Sequence, residues 1–466
     1  MKGAMEIVRD RVARRVTPGK GARVKVEQLL NKFIARAKDK AEARGLKVRV
    51  EVEGSIAKDT WIGTEQDVDI FLIFPLGTGR ELVGRDGLEL AKACAGKKWS
   101  LGYAEHPYVE AEMDGFTLDI VPSVEMREGE KPITSVDRTP LHTRFVGKRL
   151  DAKSKTEVRV LKQFLKGIGV YGAELKIGGF SGYLAELLVI NFGSFAEVVR
   201  AAAGWGDRAF IDIVGHYKEQ NLGEVFDGNL VVVDPVDMAR NAAAAVSCQA
   251  YFTFVAAARH FLEKPSIGFF FPGQQKVEPK RVMDFLASKG SHLIAVVTSC
   301  PNIPSDILWG EAFRAMKRLA SLLEEEGFPV NDSAVWSDEK GLLIFIFELH
   351  GLEISKGRLH LGPMVSLMQE ADSFLGKYRS GGKVLAGPYI KGDRWVVELR
   401  REENSAASLL AAKLKETKFS RDIGREFKKG YKILVDGQIE GTMKGRLGLA
   451  IFMLQFLRKR PPWLNR

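Results

Sequence analysis

Apolar and polar residues alternate along the first strands that the sequence predicts. The segment VRVEVEG (48–54) has a period of two, which is typical of a strand with one buried face. After a short helix or turn, DVDIFLIFP (67–75) predicts a central strand that runs into a core and is closed by Pro75. Residues 80–96 follow with a helical pattern. The first part of the chain is therefore expected to mix strands and helices.

The segment YVEAEMDGFTLDIVPSVEM (108–126) predicts a β-hairpin. Its two alternating runs are joined by Asp114-Gly115, a dipeptide that favours a two-residue turn. A turn of this length places Glu110 opposite Asp119. Asp119 is therefore expected on the outgoing strand, directly before apolar residues.

From about residue 140 the pattern becomes helical. Ser154 and Glu157 predict a capping box, which opens a helix with an apolar stripe at 158, 161, 164/165 and 168. The segment FSGYLAELLVINFGSFAEVVRAAAGWG (180–206) predicts further helix. The following apolar stretch (230–265) predicts a short strand, a turn and an alanine-rich helix that ends near Glu263.

The segment KPSIGFFFPG (264–273) predicts a linker, and the pattern beyond it changes again. Helix, strand, helix, strand and strand follow in order, which favours a small open-faced sheet with helices on one side. We therefore expect an α+β protein with three domains: a mixed-sheet head (1–143), a helical central domain (144–263) and an α+β, ferredoxin-like body (264–466). The body ends in a tail rich in Lys and Arg with interleaved aromatic residues.

Composition narrows the class of protein. Hydrophobic residues at 45% and charged residues at 28% are typical of a globular chain. The N-terminus is charged, and no apolar run reaches about 18 residues, because the most apolar stretch carries Glu186. No CxxC pair occurs, so neither a zinc site nor a disulfide framework is predicted, and we expect a cytoplasmic protein. The net charge of +11 favours a polyanionic partner such as a nucleic acid.

The carboxylates of DVD carry the first candidate chemistry. Asp67 and Asp69 point to the same face of their strand, where two like charges repel unless a cation bridges them. Few oxygen ligands with open positions suit Mg²⁺ shared with substrate phosphates. Asp119 is placed to be a third ligand, which would complete a cage for two ions. The alternatives are a solvated turn at the strand end and a structural Ca²⁺ site.

Gly54-Ser55, directly before the predicted turn, is the second candidate. Glycine lets the backbone approach a ligand closely, and free N–H groups with the Ser55 hydroxyl would cradle an anion such as a triphosphate. An ordinary helix N-cap is the alternative.

These motifs together resemble the nucleotidyltransferase superfamily of DNA polymerase β type, in which G-S is followed by [DE]-x-D and by a third Asp. The resemblance extends to the archaeal, class I CCA-adding enzymes (tRNA nucleotidyltransferases) and covers residues 54 to about 265. It is carried by EGSIAKDTWIGTEQDVDIFLIFP, YAEHPYVEAEMDGFTLDIVPS, SVDRTPLHTRF, VYGAELKIGGFSGYLAELLV and VVVDPVDMARNAAA. The last 200 residues match more loosely, mainly through PSIGFFFP.

The resemblance implies roles for individual residues. The metal and catalytic carboxylates would be Asp67, Asp69 and Asp119, and some members carry Glu at the first position. The nucleotide-binding residues would be Gly54, Ser55, Lys58, His142, Lys162, Tyr171 and Arg240. Among these, Lys58 would contact the triphosphate, where relatives often have Arg, and Arg240 would read the base. Without the family, Lys58 is equally a solvated lysine and Lys162 a snorkelling one. Likewise His142 and Tyr171 would be structural, and Arg240 a partner of Asp234 or Asp237.

The resemblance also implies an activity. It is the template-independent addition of C, C and A to the 3′ end of tRNA from CTP and ATP, with two Mg²⁺ ions and release of pyrophosphate. The basic tail would hold the tRNA by its phosphates, no membrane would be involved, and the chain would form a homodimer. The alternatives are another RNA-tailing enzyme, of the poly(A), poly(U) or oligoadenylate type, and an inactive RNA-binding relative.

Overall fold

A computed structural model describes residues 3–63, 65–103, 107–126, 135–217, 220–273 and 276–464. The chain divides into two compact units, one formed by residues 1–273 with 461–466 and the other by residues 274–460. The boundary that the sequence predicts at residue 143 lies inside the first unit and stays a prediction.

The first unit begins with a five-stranded mixed sheet. Its strands are β1 (Arg49–Val52), β2 (Asp67–Phe74), β3 (Trp99–Tyr103), β4 (Pro107–Met113) and β5 (Phe116–Val124). Their spatial order is β1-β2-β5-β4-β3. The pair β2/β5 is parallel and every other pair is antiparallel. Both β2 and β5 are therefore flanked by strands on either side, as their apolar sequences require.

Helices cover this sheet and form the rest of the unit. They are α1 (Ala4–Val16), α2 (Lys20–Glu42), α3 (Gly54–Ala57), α4 (Arg80–Leu82), α5 (Leu88–Ala95), α6 (Thr139–Arg149), α7 (Ala152–Gly167), α8 (Gly182–Phe192), α9 (Phe195–Ala203), α10 (Leu222–Val225) and α11 (Cys248–Glu263). A π-helical turn (Val83–Gly87) and three 3-10 turns (Ser135–Arg138, Ile267–Phe269 and Pro462–Leu464) complete them. A small sheet contains β6 (Ala209–Ile211), β7 (Leu230–Asp234) and β8 (Asp237–Asn241).

The register of the sheet brings two predicted carboxylates together. The hairpin places Glu110 opposite Asp119, as the two-residue turn predicts. The parallel pairing of β2 and β5 places Asp69 opposite Asp119, while Asp67 pairs with Thr117. Residues paired in this way point to the same face of the sheet.

The predicted capping box of α7 is wrong. The helix begins earlier, and Asp151 is its N-cap, accepting a hydrogen bond from the Ser154 backbone N–H at 2.8 Å. Glu157 is buried. It accepts a hydrogen bond from the Phe195 N–H at 3.2 Å and forms an ion pair with Arg9. A carboxylate nearer the helix start therefore satisfies the free N–H, and Glu157 joins neighbouring elements instead.

Two other local predictions are wrong as well. The predicted strand 230–234 is followed by a second strand, β8, which carries Arg240, and the alanine-rich helix α11 begins only at Cys248. The segment 264–273 is no linker, because Phe269 and Phe270 are buried beside Phe164 with ring centroids 5.9 and 5.4 Å away. Aromatic burial outweighs the Pro and Gly residues that suggested a linker.

The second unit contains a four-stranded antiparallel sheet with a smaller sheet inserted. Its elements are α12 (Pro279–Lys289), β9 (His292–Ser299), α13 (Ser305–Glu325), β10 (Val330–Ser337), β11 (Leu342–Leu349), β12 (Gly357–Met364), α14 (Met368–Tyr378), β13 (Val384–Lys391), β14 (Arg394–Arg400), α15 (Ala406–Glu416), α16 (Arg421–Lys429), β15 (Tyr431–Val435), α17 (Glu440–Met443) and α18 (Leu447–Arg458). The strand orders are β10-β11-β9-β15 and β12-β14-β13.

The order of the larger sheet confirms the ferredoxin-like prediction, because the first and last strands of the β-α-β-β-α-β series lie side by side. The prediction that helices cover only one side of this sheet is wrong. Phe345 and Phe347 pack into a core with α13, α15 and α16, whereas Ile344 and Ile346 pack into another with α12, α17 and α18. Neighbouring residues of β11 point to opposite faces, and both faces are apolar.

Among the described residues, no single helix has the length and apolar character of a membrane span. Only α8 and α9, which are bent by 91° with respect to each other, meet that test as a pair.

Candidate active site

Eight of the ten predicted site residues line one cavity of about 460 Å³ in the first unit. They are Gly54, Ser55, Lys58, Asp69, Asp119, His142, Lys162 and Tyr171. Asp67 is exposed at the start of β2 and does not line the cavity. Arg240 lines a neighbouring cavity of about 500 Å³.

Asp69 and Asp119 form the acidic wall of the cavity. Burial and then the charges of Asp69, Glu110 and Asp67 raise the pKa of Asp119 to about 7. Burial also raises the pKa of Asp69, against the charge of Lys58. Asp69 and Asp119 lie at paired strand positions, and among the described residues neither carboxylate accepts a side-chain hydrogen bond.

Gly54 makes the approach to this wall possible. Its φ is +65°, in the left-handed region, and a Cβ at this position would lie 1.8 Å from Asp69 Oδ2. Only glycine fits both the conformation and the space. The Gly54-Ser55 step starts α3, which is only four residues long.

Two buried lysines form the basic part of the cavity wall and share one carboxylate. Lys58 Nζ lies 2.6 Å from Glu186 Oε2, and Lys162 Nζ lies 3.4 Å from Glu186 Oε1. Lys162 also donates to the backbone oxygen and the hydroxyl of Thr60, both at 3.2 Å. Burial lowers the pKa of Lys162. Burial favours a higher pKa for Glu186, but the charges of Lys58 and Lys162 outweigh it, so that pKa is lowered.

A second buried carboxylate, Asp234, joins three side chains near the cavity. His142 Nε2 lies 2.9 Å from it, the Tyr183 hydroxyl donates to it at 3.0 Å, and Arg240 pairs with it at 2.7 Å. Burial favours a higher pKa for Asp234, but the hydrogen bond from His142 and the nearby charges lower that pKa to about 2. His142 also stacks on Tyr183 with ring centroids 3.9 Å apart.

Three family models match the chain in succession. They are a nucleotidyltransferase domain (30–142), the second domain of tRNA nucleotidyltransferase (156–271) and the C-terminal domain of the CCA-adding enzyme (289–436). The CCA-adding enzyme of Methanothermobacter thermautotrophicus is 34% identical over 446 residues, 94% of each chain. That of Sulfurisphaera tokodaii is 38% identical over 360 residues, 76% of this chain and 81% of the relative. That of Pyrobaculum islandicum is 38% identical over 394 residues, 84% of this chain and 89% of the relative.

The chain belongs to the CCA-adding enzyme family.

This family membership confirms the resemblance stated from the sequence, and the matched domain agrees with the predicted nucleotidyltransferase head. The roles of individual residues stay predictions. Arg240 pairs with Asp234, which is what the structural alternative to base reading predicted. Its side chain also borders a cavity.

Sequence reasoning missed Glu186 and Tyr183 in this member of the CCA-adding enzyme family. Both lie on α8 and line the cavity. The signal for Glu186 was available, since a single carboxylate inside an apolar helix is rarely buried without a partner. Tyr183 gave no comparable signal, because an aromatic residue in such a helix is usually core.

The carboxylates fit a divalent cation, as the family implies. Asp69 and Asp119 offer hard oxygen ligands from paired strand positions. Burial and neighbouring carboxylates raise the pKa of both groups, and a nearby cation would favour their ionised forms. Within the described ranges, however, no three His, Cys, Asp or Glu side chains are grouped closely enough to hold a metal ion alone. Two carboxylates leave coordination positions open, as in Mg²⁺ sites that are shared with substrate oxygens.

Proposed function

We propose that this chain adds C, C and A to the 3′ end of tRNA from CTP and ATP, without a nucleic-acid template and with release of pyrophosphate. The observation that carries the proposal is the cavity that is lined both by paired carboxylates, Asp69 and Asp119, and by two buried lysines, Lys58 and Lys162. A nucleoside triphosphate needs both walls, one for its divalent cations and one for its phosphates. The match to CCA-adding enzymes over most of the chain supports tRNA as the acceptor.

Asp67, Asp69 and Asp119 would hold Mg²⁺, and we propose two ions. When bound, Mg²⁺ supplies positive charge that neutralises phosphate oxygens and favours ionisation of the attacking 3′-hydroxyl. The chain itself keeps Asp69 and Asp119 at paired positions on two flanked strands, so that their oxygens are preorganised. Gly54 leaves the space beside Asp69 open.

The remaining cavity residues bind and orient the nucleotide in this proposal. Ser55, Lys58 and Lys162 face the triphosphate, and His142 and Tyr171 face its sugar. A volume of about 460 Å³ is in the range of small-ligand sites. His142 is held by Asp234, and burial lowers its pKa despite that carboxylate. A largely neutral imidazole suits hydrogen bonding to a sugar hydroxyl and needs no proton transfer.

Arg240 presents the nucleotide base with donors in the proposed complex. Its Nη1 is 2.7 Å from Asp234 Oδ2, which fixes one edge of the guanidinium. With respect to the described residues, the other donors of the planar group are left for a pyrimidine or purine edge. The side chain is about one-third exposed, so a base has access to it.

We assign tRNA binding to the basic C-terminal region. We also propose that the chain forms a homodimer and that it is cytoplasmic. Helix α16 contributes Arg421, Arg425, Lys428 and Lys429 within nine residues. Phosphate contacts make affinity fall steeply with salt. The affinity for tRNA should therefore fall between about 50 and about 300 mM salt, because the Debye length shortens over this range. An affinity that stayed the same would contradict phosphate recognition by this region.

The activity is tested by incubating the protein with tRNA lacking CCA, Mg²⁺ and labelled CTP or ATP. We expect two CMP residues and one AMP to be incorporated in that order. Long A or U tails, or oligoadenylate made without tRNA, would instead identify one of the other tailing activities. Tight tRNA binding with no incorporation of any nucleotide would identify an inactive relative.

A further inference from the structure

Glu186 stands out because its carboxylate is fully buried between two lysines that the proposed function uses. Glu186 is 0% exposed, Lys162 1% and Lys58 7%. A buried carboxylate costs free energy unless cations and hydrogen bonds surround it. Glu186 has both, since Thr60 Oγ1 donates to Oε1 in addition to the two ammonium groups.

The hydrogen bonds of the two lysines are unequal. A lysine ammonium has three donors. Three acceptors surround Lys162 Nζ: the Thr60 backbone oxygen, the Thr60 hydroxyl and Glu186 Oε1. For Lys58 Nζ, Glu186 is the hydrogen-bond acceptor that the described residues provide. Lys162 is therefore fixed in the wall, whereas Lys58 retains donors that can reach a ligand.

The charges of Lys58, Lys162 and Glu186 also favour binding of an anionic ligand. Two desolvated ammonium groups repel each other, and one carboxylate between them lets both stay charged while the trio keeps a net charge of about +1. All three side chains line the same cavity as Asp69 and Asp119. An anion with several phosphates matches this wall, and Glu186 itself repels phosphate, so it acts through its lysines.

We propose that Glu186 is a positioning residue for the triphosphate of the incoming nucleotide: it pins Lys162 and directs Lys58 so that the remaining donors of Lys58 meet phosphate oxygens. This inference rests on the proposed function. The contacts that it predicts are to the β- and γ-phosphates, which a nucleoside monophosphate lacks.

The test compares binding of CTP and of CMP to the full chain carrying Glu186→Gln. The amide keeps the shape but loses the charge, so we expect the Kd of CTP to rise about tenfold or more, with the Kd of CMP within twofold of the unaltered value. A merely structural role would weaken both nucleotides alike. Unchanged CTP binding, or equal weakening of CTP and CMP, would overturn the inference.

Glu348→Gln is the matched control. Glu348 is also 0% exposed and is paired with Lys289 and with Lys459, the latter at 3.1 Å, but it lies in the second unit. We expect it to lower stability without changing CTP affinity.

Thr60→Val keeps the test decisive if Glu186→Gln does not fold. Thr60 is 0% exposed and does not line the cavity. Among the described residues its hydroxyl, which valine lacks, is hydrogen-bonded to Glu186 and Lys162. We expect CTP binding to weaken about threefold and CMP binding to stay the same, and no change in CTP affinity would overturn the inference. If the unaltered chain incorporates no nucleotide although CTP binding depends on Glu186, the proposed function fails and this inference stands.

Discussion

Replacing Gly54 with alanine separates backbone strain from displacement of a carboxylate. At φ +65° an alanine costs about 1 kcal/mol in conformational strain. The added Cβ would also lie 1.8 Å from Asp69 Oδ2, whereas real Cβ contacts stay above 3.0 Å, so the gap must open by about 1.2 Å. The clashing atom is the end of a flexible side chain. We therefore expect the fold to persist and the Asp69 carboxylate to move.

Gly45→Ala is the control, because Gly45 has the same φ of +65° with no atom within 4 Å of the added Cβ. Both variants should lose about 1 kcal/mol in the free energy of unfolding, measured with urea. A shift of about 1 Å at a reacting centre costs about 100-fold in rate. Incorporation of labelled CMP into tRNA lacking CCA should therefore fall about 100-fold in Gly54→Ala only. Equal rates in the two variants would refute the role of this close approach.

Three further predictions concern stability. The pKa of Asp119 is about 7 in the folded chain and 3.8 ordinarily, so between these values the folded state holds a proton that the unfolded state has lost. In the presence of a chelator, the free energy of unfolding should therefore fall as the pH rises from about 4 to about 7. Urea unfolding of Asp119→Asn should show a profile flatter by about 2–4 kcal/mol, and an unchanged slope would contradict the raised pKa. Asp234 has a folded pKa of about 2, so its charge stabilises the fold above about pH 4 and that contribution is lost as the pH falls towards 2. Asp234→Asn should cost about 2 kcal/mol at pH 7, and a difference that did not shrink in acid would count against this assignment. Gly167→Ala should lose about 2 kcal/mol or more in thermal unfolding, because its Cβ would lie 2.0 Å from the Phe269 backbone oxygen. Gly147→Ala should not lose stability, because no atom lies within 4 Å of its added Cβ.

The sequence was sufficient for features set by short-range rules. Asp114-Gly115 fixes a two-residue turn, and the turn fixes the pairing of Glu110 with Asp119 by counting outward. The pairing of Asp69 with Asp119 is different, because parallel strands are joined through distant chain and no local pattern sets their register. The family resemblance supplied what counting did not.

The features that were missed depend on tertiary packing. Nothing near Glu186 in the sequence shows that Lys58, 128 residues away, ends beside its carboxylate. The burial of Phe269 and Phe270 likewise depends on Phe164, about a hundred residues earlier. At α7, two side chains competed to cap one helix, and the choice of Asp151 over Ser154 lay within the usual uncertainty of helix boundaries.

The central claim is that Asp69 and Asp119, at paired positions of β2 and β5, are the centre of nucleotide transfer. The most direct measurement is the initial rate of CMP incorporation from labelled CTP by Asp119→Ala, beside Glu110→Ala, which removes an exposed carboxylate from the adjacent strand position. We predict a loss of at least about 1,000-fold for Asp119→Ala, a change within about threefold for Glu110→Ala, and unchanged tRNA affinity for both. An Asp119→Ala variant that kept a tenth of the unaltered rate would contradict the claim.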